Sequence, residues 1–189
     1  MNEIEFDGAI ETIKPSPKVI PLADAELKKR VRLRGEEPED DFCIFIEEDV
    51  LREIVDYSKT QLSREIGGVL VGGYYAHEGR EFITVEAYIK AKSAISHAAS
   101  LTFTHEALHE VNNIKTETYD DYYIVGWHHT HPNYGVFLSS YDMFIQKNFW
   151  NLPWQVALVV DPCRETLGFL RWKNQRMETT GFYYIKKPK

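Results

Sequence analysis

The chain has 189 residues, with 43% hydrophobic and 13% aromatic content and a formal net charge of -7. That is enough apolar material for one domain with its own core. The acidic balance excludes a general nucleic-acid binder, which needs clustered Lys and Arg to displace counterions from phosphates. No apolar run nears the roughly 20 residues of a membrane-spanning helix, and the N-terminus lacks the charged-then-apolar order of a signal peptide. A cytoplasmic protein with no membrane association is expected, and Cys43 and Cys163 are too few for a disulfide framework.

Residues 1–41 carry Pro15, Pro17, Pro21 and Pro38 among charges, which predicts an extended or poorly ordered arm. From Phe42 to the C-terminus the pattern is that of a single domain, residues 42–189. Cys43 to Ile46 reads as a short strand, and Val50, Leu51, Ile54, Val55 and Leu62 recur at helical spacing over about 48–62. The glycine-bounded run 67–75 and the alternating run 81–89 form a hairpin turning at 77–79. Residues 91–100 are small and polar with no period and read as a mobile loop. Thr104 caps a helix to about Thr116, with Phe103 and Leu108 placed as a hydrophobic staple. A strand over 122–130, a loop from Pro132 to Leu138 and a helix over about 140–150 follow. Strands over 155–160, 167–172 and 181–185 close the chain. Helices interleaved with a mostly antiparallel sheet make the class α/β, a sandwich without internal repeats.

The chemistry concentrates in Gly126-Trp127-His128-His129-Thr130-His131-Pro132 and Leu138-Ser139-Ser140-Tyr141-Asp142. Side chains two apart on a strand share a face, so His129 and His131 project together while His128 and Thr130 point away. Catalytic zinc sites use three protein ligands and leave the fourth position to water, so a carboxylate from a neighbouring element completes the set. Asp142, one turn into the next helix, is well placed. Ser139-x-x-Asp142 reads equally as a capping box with Leu138 and Met143 as its staple.

Together with Glu65-Ile66-Gly67-Gly68-Val69-Leu70-Val71-Gly72, these segments resemble the JAMM (MPN-plus, Mov34/PAD-1-like) zinc metalloprotease family over about residues 42–172. In length the chain is similar to the free-standing bacterial and archaeal members. The resemblance implies an MPN-type, cytidine-deaminase-like fold with a mixed, largely antiparallel sheet flanked by helices. It implies one Zn2+ on His129, His131 and Asp142, Glu65 as the acid/base that holds the catalytic water, and Ser139 as a donor to the tetrahedral intermediate. It implies an isopeptidase or precursor-processing protease acting after the tail of a ubiquitin or ubiquitin-like protein, with E1- or E2-like enzymes of the same pathway as partners. Ser93, Ala94, Ile95 and Ser96 fall where members carry a substrate-contacting insertion, and the second insertion, near 148–153, is short. A peptidase on small-peptide or sulfur-carrier conjugates, and a non-catalytic scaffold, are the alternative readings.

One motif competes. His105-Glu106-Ala107-Leu108-His109 satisfies the H-E-x-x-H pattern of helical zinc proteases. It has no third ligand nearby in sequence, and its histidines flank the apolar stripe, so an ordinary exposed helix face is expected.

Overall fold

A computed structural model describes residues 13–38 and 42–188. In chain order the elements begin with β1 (Ser16–Pro17), a 3-10 turn (Leu27–Lys29), β2 (Val31–Arg34), β3 (Phe42–Glu47) and α1 (Glu48–Ser58). The middle of the chain holds β4 (Gly67–His77), β5 (Arg80–Lys90), β6 (Ile95–His97), β7 (Ser100–Thr102), α2 (His105–Thr118) and β8 (Tyr123–Thr130). The last part holds α3 (Ser140–Phe149), β9 (Val156–Asp161), β10 (Thr166–Lys173), β11 (Arg176–Thr180) and β12 (Phe182–Ile185).

Strands β11-β10-β9-β8-β4-β5-β3-β12-β2 lie side by side in one sheet, and β1 pairs with the far end of β4. The sheet is mixed: β4 runs antiparallel to both β5 and β8, whereas β8–β9, β3–β5 and β3–β12 are parallel. Only Gly181 separates β11 from β12, although these strands lie near opposite ends of the order, so the sheet curls strongly. Period-two alternation divides the core between its faces. Leu70, Val125 and Leu158 pack with Val50, Leu51 and Ile54 of α1 on one face. On the other, Val69, Val71, Trp127 and Ala157 pack with Val111 of α2 and Ile145 of α3. Among the described residues no helix is long and apolar enough to cross a membrane.

Several expectations change. The described part of the Pro-rich arm joins the sheet: β1 lies beside Tyr75 and Ala76, and β2 pairs with β12. Ile20 and Val31 anchor it against Phe45, Phe82 and Tyr183 in a third apolar cluster, a few contacts that charge-rich composition conceals. Residues 1–12 and 39–41 of that arm lie outside the described residues. Helix α1 stops at Ser58 rather than near 62, and Leu62 is exposed. The expected loop at 91–100 contains β6, which forms a small hairpin with β7. Its strands bury little besides Leu101, so they carry no hydrophobic alternation. The β4–β5 hairpin turns at Glu78 and Gly79, both with positive φ, the geometry of a two-residue type I′ turn. Strand β11, absent from the sequence pattern, is defined only by its pairing with β10.

Close approach of β4 to β8 depends on Gly67, where a Cβ would stand 2.1 Å from the His128 carbonyl oxygen and 2.6 Å from Leu101 Cδ2. Gly67→Ala is expected to cost about 1–3 kcal/mol, as overpacking does, and to lower the urea midpoint. An unchanged midpoint would show that the two strands have slack.

Candidate metal centre

Strand β8 carries its side chains to alternate faces, and this alternation builds the site. His128 enters the α1 side, where Tyr88 Oη lies 2.9 Å from Nδ1 and Ser58 Oγ 3.1 Å from Nε2. Burial, with His129 adding to it, holds His128 well below the usual imidazole pKa. His129 enters the opposite face and stacks on Trp127 at 4.3 Å between centroids. Trp127 is itself locked by an Nε1–H donated to Gln146 Oε1 at 2.7 Å and by stacking on Trp150. The His129 plane is therefore set by a packed aromatic column, a support that no motif in the sequence marks.

Past the end of β8, His131 donates its backbone N–H to Val160 O at 2.8 Å, which extends the alignment with β9 by one bond. Asp142 arrives from the first turn of α3, fixed by the expected capping box. Ser139 N donates to Asp142 Oδ2 at 2.7 Å, and Asp142 N donates to Ser139 Oγ at 3.2 Å. The cap and the site use the same carboxylate.

His129 Nε2, His131 Nε2 and Asp142 Oδ2 form a triangle with edges of 3.1, 3.2 and 3.5 Å. Tetrahedral ligands at about 2.0–2.1 Å from zinc stand about 3.3–3.4 Å apart, so the edges fit such an ion. The donor chemistry agrees. Three buried electron-pair donors face one another, and a proton can bridge only one pair of them, whereas a divalent cation serves all three. Among the described residues this is the one group of His, Cys, Asp or Glu ligands close enough to hold a metal.

Glu65 comes from the segment just before β4 and is buried, with Oε1 3.7 Å from His131 Nε2 and Oε2 without a partner. Its backbone is clamped: Glu65 N donates to His97 O at 2.8 Å, and Ser96 Oγ donates to Glu65 O at 2.5 Å. The next residue is tied to β8, since Ile66 N donates to Thr130 Oγ1 and Thr130 N to Ile66 O, both at 2.9 Å. Burial raises the Glu65 pKa to about 7, with Asp142 adding to the effect and His131 opposing it. For Asp142 burial acts upward, but bonds from His129, His131 and Ser139 outweigh it and hold the carboxyl far below its usual range. Burial lowers His129. It also acts downward on His131, but Asp142, Glu65 and the Gly135 carbonyl outweigh it and raise that imidazole.

The four residues expected at an insertion occupy the β6–β7 region with separate fates. Ser93 Oγ donates to Glu110 on α2 at 2.7 Å, Ala94 packs partly into the core, Ile95 is exposed and Ser96 holds Glu65. His105, Glu106 and His109 lie on the exposed face of α2, capped by Thr104, away from any ligand cluster among the described residues.

Residues 42–152 match the profile described as JAB1/Mov34/MPN/PAD-1 ubiquitin protease. The chain belongs to this family. Among its relatives, ubiquitin carboxyl-terminal hydrolase RPN11 of Saccharomyces cerevisiae is 28% identical over 131 residues, covering 66% of this chain and 40% of the relative. The 26S proteasome regulatory subunit rpn11 of Schizosaccharomyces pombe is 26% identical over 140 residues, covering 72% and 44%. The chain thus spans less than half the length of these curated relatives. The solution structure of protein DSY2949 from Desulfitobacterium hafniense shares the fold, with a TM-score of 0.56 at 15% identity over 77% of this chain and 94% of that one.

Removing the Ser139 hydroxyl tests the cap apart from any chemistry. Ser139→Ala is expected to lose about 1 kcal/mol in urea unfolding, and Ser139→Asn, an equally good N-cap, to recover most of it. Equal stability of all three proteins would show that the box contributes nothing.

Proposed function

We propose that this protein is a zinc metallopeptidase that hydrolyses the peptide or isopeptide bond after the C-terminal tail of ubiquitin or a ubiquitin-like protein. The observation that carries the reading is the convergence of three buried ligand atoms beside a buried carboxylate with a free oxygen. The relative named a ubiquitin carboxyl-terminal hydrolase supports the substrate class.

His129, His131 and Asp142 would hold the ion. Zinc in a three-ligand site supplies Lewis acidity and brings the ionisation of water to about pH 7. Glu65 takes the proton of the attacking water on its unpartnered oxygen and returns it to the leaving lysine amine, a role worth about two to four orders of magnitude in rate. Ser139 Oγ already accepts from Asp142 N, which leaves its O–H hydrogen to donate to the developing oxyanion. An extended tail is held by strand addition beside the β6–β7 hairpin, with Ser93, Ala94, Ile95 and Ser96 along its path. E1- or E2-like enzymes of the same pathway are the partners this activity implies.

Cleavage of a linear ubiquitin fusion, followed with and without a zinc chelator, tests the chemistry. Glu65→Gln is expected to retain zinc and lose about 10²–10⁴-fold in kcat. His129→Ala loses the metal, whereas His105→Ala keeps both metal and activity. Activity that survives chelation and Glu65→Gln together would remove the metallopeptidase reading. Tail binding is expected to slow hydrogen exchange across residues 91–100, and unchanged exchange there would remove the hairpin from the binding path.

A further inference from the structure

The loop after His131 is folded around one buried carboxylate, Asp161 at the end of β9, which has no exposed surface. Asp161 Oδ1 accepts the backbone N–H groups of Asn133 at 2.9 Å, Cys163 at 3.0 Å and Arg164 at 3.0 Å. Oδ2 accepts that of Gly135 at 2.8 Å, with Arg164 Nε 3.6 Å away. Four donors need an acceptor-only group, since an amide would turn its own N–H hydrogens towards some of them. Burial disfavours the charge, yet the four amides outweigh it and keep the carboxyl below its ordinary range. Asn133 holds a positive φ of 68°, a conformation that costs a non-glycine residue energy, whereas Gly135 supplies a φ of 89° that glycine adopts freely. The same loop reaches the metal centre, because the Gly135 carbonyl oxygen lies 3.3 Å from His131 Nδ1. A carbonyl only accepts, so Nδ1 carries the hydrogen and Nε2 is the nitrogen left for a cation.

We propose that Asp161 is a positioning residue of the metal centre: it pins residues 133–135 so that the Gly135 carbonyl orients His131 with Nε2 towards His129 and Asp142. The inference rests on the reading of His131 as a metal ligand. Partners of this kind behind a ligating histidine typically contribute roughly 10- to 100-fold in metal affinity.

Zinc affinity of the full chain, measured by competition with a chromogenic chelator, tests it without reference to catalysis. Asp161→Asn and Gly135→Ala are each expected to weaken zinc binding by roughly 10- to 100-fold. Because the first acts through the second, the double variant should lose little more than either alone, a non-additivity that general destabilisation does not produce. Leu158→Ala, on the α1 face of the same strand, should lower thermal stability and leave zinc affinity unchanged. Wild-type affinity in Asp161→Asn, or additive losses in the double variant, overturns the proposal. Should Asp161→Asn fail to fold, wild-type zinc affinity in Gly135→Ala overturns it instead. A wild-type chain that binds no zinc would overturn the metal reading and this proposal with it, whereas the preceding outcomes overturn the proposal alone.

Discussion

The antiparallel ladder between β4 and β8 is the constraint on which the rest depends. It sets Gly67 opposite His129, so the segment bearing Glu65 runs beside the end of the strand that carries the histidines. Residues more than sixty positions apart share one site because a glycine lets two backbones meet at a distance no side chain permits. The ladder then continues into the paired bonds of Ile66 and Thr130, which carry the register one residue further towards Glu65.

Around this axis each residue of the candidate site is held by its protein neighbours. Trp127 and Trp150 stack behind His129, the capping box holds Asp142, Asp161 folds the turn behind His131, and Ser96 with His97 holds the backbone of Glu65. Such support costs little, because most of these bonds satisfy backbone groups that burial would otherwise leave unpaired. It also sets the spacing of the three buried ligand atoms. The surrounding bonds oppose their separation.

On the other face of β8, His128 shows what the same residue type does without ligand geometry. Both of its ring nitrogens lie within hydrogen-bond distance of a hydroxyl, and its burial lowers its pKa, so it serves as a neutral strut between β5, β8 and α1. His105 and His109 illustrate the opposite case, a metal-protease spacing on a helix whose relevant face is solvent. Spacing alone does not make a site.

The local elements with strong periodicity, the Thr104 and Ser139 caps, and the shared face of His129 and His131 are legible in the sequence, because each follows from short-range geometry along one segment. The Glu65 position was legible only through a family pattern, since nothing within its own segment marks it. Tertiary structure decided what depends on pairing between distant segments. It made the arm containing Val31 an edge strand, turned an aperiodic loop into a hairpin holding Glu65, and placed Asp161 behind His131. Hydrogen bonds to backbone groups impose no side-chain pattern of their own, so Ser96, His97 and Asp161, which brace the site through such bonds, left no period or motif to read.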